Sequence, residues 1–114
     1  MLRTKSVYEG LSDDDGFRVL VMREWPRNVE RDQIDEWIVE LSPSEELDME
    51  WNNRKIEWEE YVERYKAEVA DQVTHMKFLK ELSGRKDVTL LCWEGMEDRC
   101  HRKILKEMID ALDP

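Results

Sequence analysis

The chain has only two cysteines, four glycines and three prolines among its 114 residues. Two cysteines make no disulfide framework, and a reducing compartment keeps such residues as thiols. Four widely spaced glycines leave no glycine-rich loop that could wrap a phosphate in backbone amides. Long apolar runs are missing too: nothing approaches the roughly 18 residues needed to span a bilayer. Met1–Gly10 lacks the apolar centre of a signal peptide. Together these absences predict a cytoplasmic protein without membrane contacts, and nothing in them calls for a cofactor. Repeats, low-complexity tracts and linkers are absent as well. The length leaves room for one core, so one domain over 1–114 is expected.

Positive charge is in short supply, with 18 Lys+Arg against 28 Asp+Glu and a net charge of -10. The deficit is local: Glu30 to Glu63 holds 13 acids against Arg31, Arg54 and Lys55. Such a segment repels a duplex, which argues against nucleic acid as a partner and leaves nucleic-acid processing, by single-strand binding at a local basic rim, as an alternative reading. Solvated outer faces of helices account for these acids; a docking surface for a basic protein is the competing reading. Disorder is excluded despite a mean hydropathy of -0.79, because 40% of residues are hydrophobic and five are Trp.

What is present falls into alternating elements. Leu2–Val7 and Phe17–Met22 read as strands, the second β-branched and closed by Pro26. From Asp32 on, Ile34, Trp37, Ile38 and Leu41 mark one helical face. Ser42-Pro43-Ser44-Glu45 predicts a helix start, with Ser42 as N-cap, Pro43 in the first position and Glu45 closing a capping box. Trp58, Tyr61, Val62, Tyr65 and Val69 continue at helical spacing, followed after a break near Asp71 by Val73, Met76, Leu79 and Leu82. Asp87–Trp93 has the form of a strand buried on both faces. Ile104, Leu105, Met108, Ile109 and Leu112 draw the stripe of a last helix. Strands separated by helical segments imply an α/β fold: a small, mostly parallel sheet of about three strands covered by helices.

In parallel sheets the strand ends and the following helix starts share the edge where ligands bind. Arg23-Glu24-Trp25-Pro26-Arg27 follows the second strand, and Cys92-Trp93-Glu94 with Arg99-Cys100-His101-Arg102 follows the third. If Asp98 caps the last helix, Cys100 and His101 sit in its first turn, where free N–H groups and the helix dipole favour an anion or a thiolate. Nearby arginines act in the same direction, and an imidazole beside a thiol is the ordinary base for a nucleophilic cysteine. The opposing reading extends the apolar stripe back from Ile104 and turns Cys100 and His101 into the core. Cys92 is either an inert core residue or a wall of the pocket. Trp25 either packs a chain reversal or faces a flat ligand. Glu94 is either a solvated loop residue or a proton carrier. His75, without an evident partner, belongs to the surface.

Three sharper motifs are each incomplete in this sequence. A thiol-phosphatase loop fails, since Asp98 stands where its arginine would have to be and Arg99 follows one place later. Cys92, Cys100 and His101 make only three of the four ligands of a zinc site, so no metal is expected. A redox pair of Cys92 and Cys100 lacks the usual two-residue spacing but joins a strand end to a helix start.

Arg18-Val-Leu-Val-Met-Arg-Glu-Trp-Pro-Arg27, Asp35-Glu-Trp-Ile38, Leu41-Ser-Pro-Ser44, Trp58-Glu-Glu-Tyr61, Val88-Thr-Leu-Leu91 and Cys100-His-Arg102 together resemble the YeaO-like proteins, domain of unknown function 488. The resemblance covers nearly the whole chain and implies a small α/β domain. It also implies roles for Arg23, Pro26, Cys92, Glu94, Cys100, His101 and Arg102. The chain departs from the family pattern at Met22, where the family typically has an acid, and at Cys100, where many close members have Asn. The resulting expectation is a rim pocket for a small anionic or phosphorylated molecule, walled by Arg23, Trp25, Arg27, Cys92 and Arg102. There Arg23 clamps, His101 or Glu94 moves protons, and Cys100 is the nucleophile if chemistry occurs.

Overall fold

The computed structural model describes residues 1–113, with Glu97 through its backbone. Its centre is an all-parallel sheet of four strands in the order β1-β4-β2-β3. These are β1 (Leu2–Ser6), β2 (Phe17–Leu20), β3 (Glu36–Trp37) and β4 (Val88–Cys92). Every residue of β4 is buried, as its unbroken apolar run predicts, because β4 pairs on both edges and is covered on both faces. Its register sets Cys92 beside Ser6 and Leu91 beside Leu20.

Period-two alternation sorts the strand residues into two clusters. Val19, Val21, Val88 and Leu90 face a large core with Leu41, Leu47, Tyr65, Leu79, Leu105 and Ile109. That core belongs to four helices: α1 (Glu45–Asn52), α2 (Trp58–Glu68), α3 (Val73–Ser83) and α4 (His101–Asp110). Leu20 and Leu91 point the other way, toward Val7, with Met22, Trp25, Val29, Ile34 and Trp37 packed against them. Helices therefore cover one face of the sheet, and the chain between β2 and β3 covers the other.

Three details differ from the sequence reading. The segment after Asp32 is not a helix: 3-10 turns at Arg31–Gln33 and Val39–Leu41 flank β3, a fourth strand. The backbone N–H groups of Asp35 and Ile38 donate to the carbonyls of Arg18 and Leu20, while Ile34 and Trp37 reach one face of the sheet and Ile38 and Leu41 the other. An edge strand thus uses apolar spacing that also fits a helix. The cap of α1 is Ser44 rather than Ser42; its hydroxyl accepts from the Leu47 N–H at 3.1 Å. The hydroxyl of Ser42 is engaged instead with the Val39 carbonyl at 2.5 Å. Finally, α4 begins at His101 with Cys100 as its N-cap, and Asp98 pairs with Lys103 at 2.9 Å from a 3-10 turn at Glu97–Arg99. The break near Asp71 is present, between Glu68 and Val73.

Gly16 sets the start of β2. Its φ is +61°, and a Cβ there would lie 2.1 Å from the carbonyl oxygen of Asp87, which accepts from the Phe17 N–H. Only glycine fits so close a strand approach. Next to it, buried Asp15 binds Lys5 at 3.0 Å and the Arg18 guanidinium, and its carbonyl accepts from the Thr89 hydroxyl.

Candidate functional site

Parallel pairing brings the C-terminal ends of β2 and β4 to one edge, and the start of α4 returns to it. There the chain leaves a cavity of about 240 Å³ lined by Arg23, Asp48, Tyr61, Glu94, Arg99, His101 and both cysteines, among others. The strand end contributes Cys92, the N-cap contributes Cys100, and α1 supplies Asp48 from the opposite wall.

The sulfurs of Cys92 and Cys100 are 2.7 Å apart, both residues being buried free cysteines. Nδ1 of His101 lies 3.7 Å from the Cys100 sulfur, and Nε2 lies 2.5 Å from the Val21 carbonyl oxygen. A carbonyl can only accept, so Nε2 carries a proton and Nδ1 is the nitrogen that exchanges one with the thiol. The ring is held further by Tyr65, 5.5 Å away between centroids. Beneath the thiols, Arg102 is 1% exposed; it donates to the Glu94 carbonyl at 2.6 Å and reaches the Cys92 sulfur at 3.7 Å. Its Nε, also buried, has no partner among the described residues.

These contacts divide the thiols. A hydrogen bond from Cys92 is the largest influence on Cys100, followed by the opposing effect of burial and the charge of His101; the net result holds Cys100 well below the ordinary thiol range. Cys92 is pushed upward by the same hydrogen bond and by burial, so it remains the thiol of the pair. His101 is opposed by burial, but its contacts with Cys100, the Val21 carbonyl and Asp48 raise it overall. The arrangement favours a Cys100 thiolate beside a His101 imidazolium. Asp48 is raised to about 6, chiefly by burial, against the pull of His101. Tyr61 is raised by burial and stays neutral.

Of the residues singled out from the sequence, Arg23, Cys92, Glu94, Cys100 and His101 share this cavity. Arg23 donates through Nε and Nη2 to the Pro43 carbonyl at 3.1 and 3.0 Å, and Glu94 accepts from the Met96 N–H at 3.0 Å. Arg102 stands behind the thiols rather than in the cavity wall. Trp25 packs edge-on against Trp37 at 5.6 Å and donates to the Val29 carbonyl, on the helix-free face of the sheet. Arg27 is exposed away from the cavity, and its carbonyl accepts from the Tyr8 hydroxyl. Pro26 is buried in the same turn, and His75 is at the surface, 4.0 Å from Glu40. Asp48, Tyr61 and Arg99 are added to the site. The sequence carried one hint of Asp48, an acid one turn before Trp51 on a short helix; Arg99 is fixed by its guanidinium 5.5 Å above the Trp58 ring.

Cys92, Cys100 and His101 also present donor atoms within 4.8 Å of one another, three of the four ligands of a structural zinc site. The contact of Nε2 with the Val21 carbonyl leaves Nδ1 of His101 free as a ligand, but a cation among them would stand near the guanidinium of Arg102.

Among known proteins the chain is 29% identical over 113 residues to YeaO of Escherichia coli (strain K12), covering 97% of this chain and 98% of that one. It is 33% identical over 113 residues to Rv3073c of Mycobacterium tuberculosis and to Mb3100c of Mycobacterium bovis, covering 96% of this chain and 94% of each. All three carry the designation uncharacterized protein. No solved structure is significantly similar to it. The family model described as "Active DUF488-N3 subclade" matches residues 2–112, so the chain belongs to the DUF488-N3a family.

Proposed function

We propose that this protein is a thiol-dependent enzyme that binds a small anionic molecule at the sheet edge, with Cys100 as nucleophile. The observation that carries the proposal is the Cys100–His101 pair, its imidazole oriented by the Val21 carbonyl and its sulfur facing a cavity that Arg23 and Arg99 also line. The Cys100 thiolate attacks an electrophilic carbon of the bound molecule and forms a thio-linked intermediate. The departing group takes its proton from His101, which then activates water to release the product and restore the thiolate. Arg23 and Arg99 orient the anionic end of the molecule by charge and hydrogen bonds. Glu94 and Asp48 face the same space as proton carriers, Asp48 having a pKa suited to give and take a proton near neutrality. Arg102, buried behind the sulfurs, is a positioning residue that favours negative charge there. The description of the matching subclade as active agrees with this reading.

The test has two arms. Phosphate, sulfate and nucleotides should raise the thermal midpoint of wild type, and Arg23→Ala should lose most of that gain. Iodoacetamide should alkylate Cys100 rapidly at mildly acidic pH, where an ordinary thiol is protonated. Equal responses of wild type and Arg23→Ala would remove the anion site; slow alkylation would remove the nucleophile.

A further inference from the structure

In the mechanism above Cys92 has no task, although it is a second thiol lining the same cavity with its sulfur 2.7 Å from that of Cys100. Two sulfurs so close, one at a strand end and one at a helix N-cap, need little backbone movement to join. Arg102 lies 3.7 Å from the Cys92 sulfur and gives negative charge a place on that side of the pair as well. The third neighbour, His101, stands within reach of Cys100 to supply a proton. A metal fits this cluster poorly, because it has three of the four ligands of a zinc site and the Arg102 guanidinium stands 3.7 Å from one of its sulfurs.

We propose that Cys100 and Cys92 form a dithiol that reduces hydroperoxides, Cys100 being oxidised first and Cys92 resolving it into an intramolecular disulfide. The proposal rests on the reading of Cys100 as a thiolate and adds a second chemistry to its site. In the first step the Cys100 sulfur attacks one peroxide oxygen and the O–O bond breaks. The departing oxygen takes a proton from His101 and leaves as water or an alcohol. The sulfur has given up two electrons and is a sulfenic acid. In the second step the Cys92 sulfur attacks the Cys100 sulfur, the S–O bond breaks, and the hydroxyl leaves as water with the Cys92 proton. The S–S bond that results removes the nucleophile from the cavity until an external dithiol reduces it. Peroxide therefore switches the proposed carbon chemistry off, reversibly.

Native protein treated with one equivalent of hydrogen peroxide, then examined by intact mass and thiol titration, tests this. The expected product is a monomer lighter by two hydrogens, with both thiols lost and both restored by dithiothreitol. Cys92→Ser should stop at the sulfenic acid and take up a dimedone label on Cys100. Should that variant fail to fold, the wild-type mass decides alone. Oxygen added without loss of hydrogen, a disulfide only between chains, or thiols that react only after a chelator would each overturn the proposal. Unchanged mass with Cys100 still rapidly alkylated would overturn it and leave the nucleophile intact, whereas a Cys100 inert to both reagents removes both readings.

Discussion

Asp48→Asn should make this protein more stable at neutral and mildly alkaline pH, although it removes a charge facing His101. Burial dominates at Asp48 and raises its pKa from 3.8 to about 6, with His101 and Arg23 opposing and Cys100 and Glu68 reinforcing the rise. A raised carboxyl pKa means that the folded state prefers the neutral acid. The stabilising contribution is complete below 3.8 and is lost as pH rises through about 6. At about 1.36 kcal/mol per pKa unit the full shift corresponds to roughly 3 kcal/mol, and the side of Asp48 open to the cavity reduces this to about 1–2 kcal/mol by solvent screening. Asn keeps the shape and cannot ionise, so it escapes that loss. The thermal midpoint of the variant should exceed that of wild type by about 4–8 °C above neutrality, and the two should converge in acid. Circular-dichroism melts across the pH range in low salt measure both quantities. A variant less stable than wild type at alkaline pH, or a difference that does not change with pH, would show that the attraction of His101 outweighs burial and refute the reasoning.

Two further predictions concern the scaffold. Gly16→Ala forces a methyl into the Asp87 carbonyl at a positive φ, so urea unfolding should show a loss of about 2–3 kcal/mol, while Gly95→Ala, with open space around it, should change little. Asp15→Ala leaves Lys5 and Arg18 without their shared carboxylate, a loss of about 3–5 kcal/mol. Burial pushes the Asp15 carboxyl upward, but the hydrogen bonds from Lys5 and the Ser12 N–H and the charges of Lys5 and Arg18 together hold it below its ordinary value. The stability it supplies is thus present above 3.8 and lost as pH falls through the lower folded value. Acid titration of wild type against Asp15→Ala, followed by the urea midpoint, should show the difference shrinking toward the acid end.

The sequence was most readable where one local pattern decides the outcome. β4 is apolar at nearly every position, and no solvated element tolerates that; the stripe from Ile104 to Leu112 likewise has one periodicity and one possible face. β3 was not readable, because two residues of strand carry no period and their neighbours satisfy a helical template equally well. The edge where Cys92 and Cys100 meet followed from parallel α/β geometry, but the convergence of their sulfurs depends on Cys100 being the cap instead of lying inside the helix. Asp98 misled because it is a good capping residue by type, yet Lys103 claims its carboxylate. Arg102 misled in the opposite sense: arginines belong to solvent until a carbonyl such as that of Glu94 and a sulfur make burial tolerable. Asp48 was hidden because which side of α1 turns inward is settled by its packing with α2, not by its own eight residues.

The strand order has a consequence for biosynthesis. β1 and β2 do not pair with each other; each pairs with β4, which is made last of the four. While the polypeptide emerges from the ribosome, β1 has no strand partner and β2 has only the short β3, through some seventy residues of chain between β2 and β4. The arrival of Val88–Cys92 threads the missing ribbon between them, and the same stroke delivers the first sulfur. Nascent protein consequently carries no thiol pair until β4 has joined the sheet and Cys100 has followed it, so the proposed chemistry can begin only once the sheet has closed.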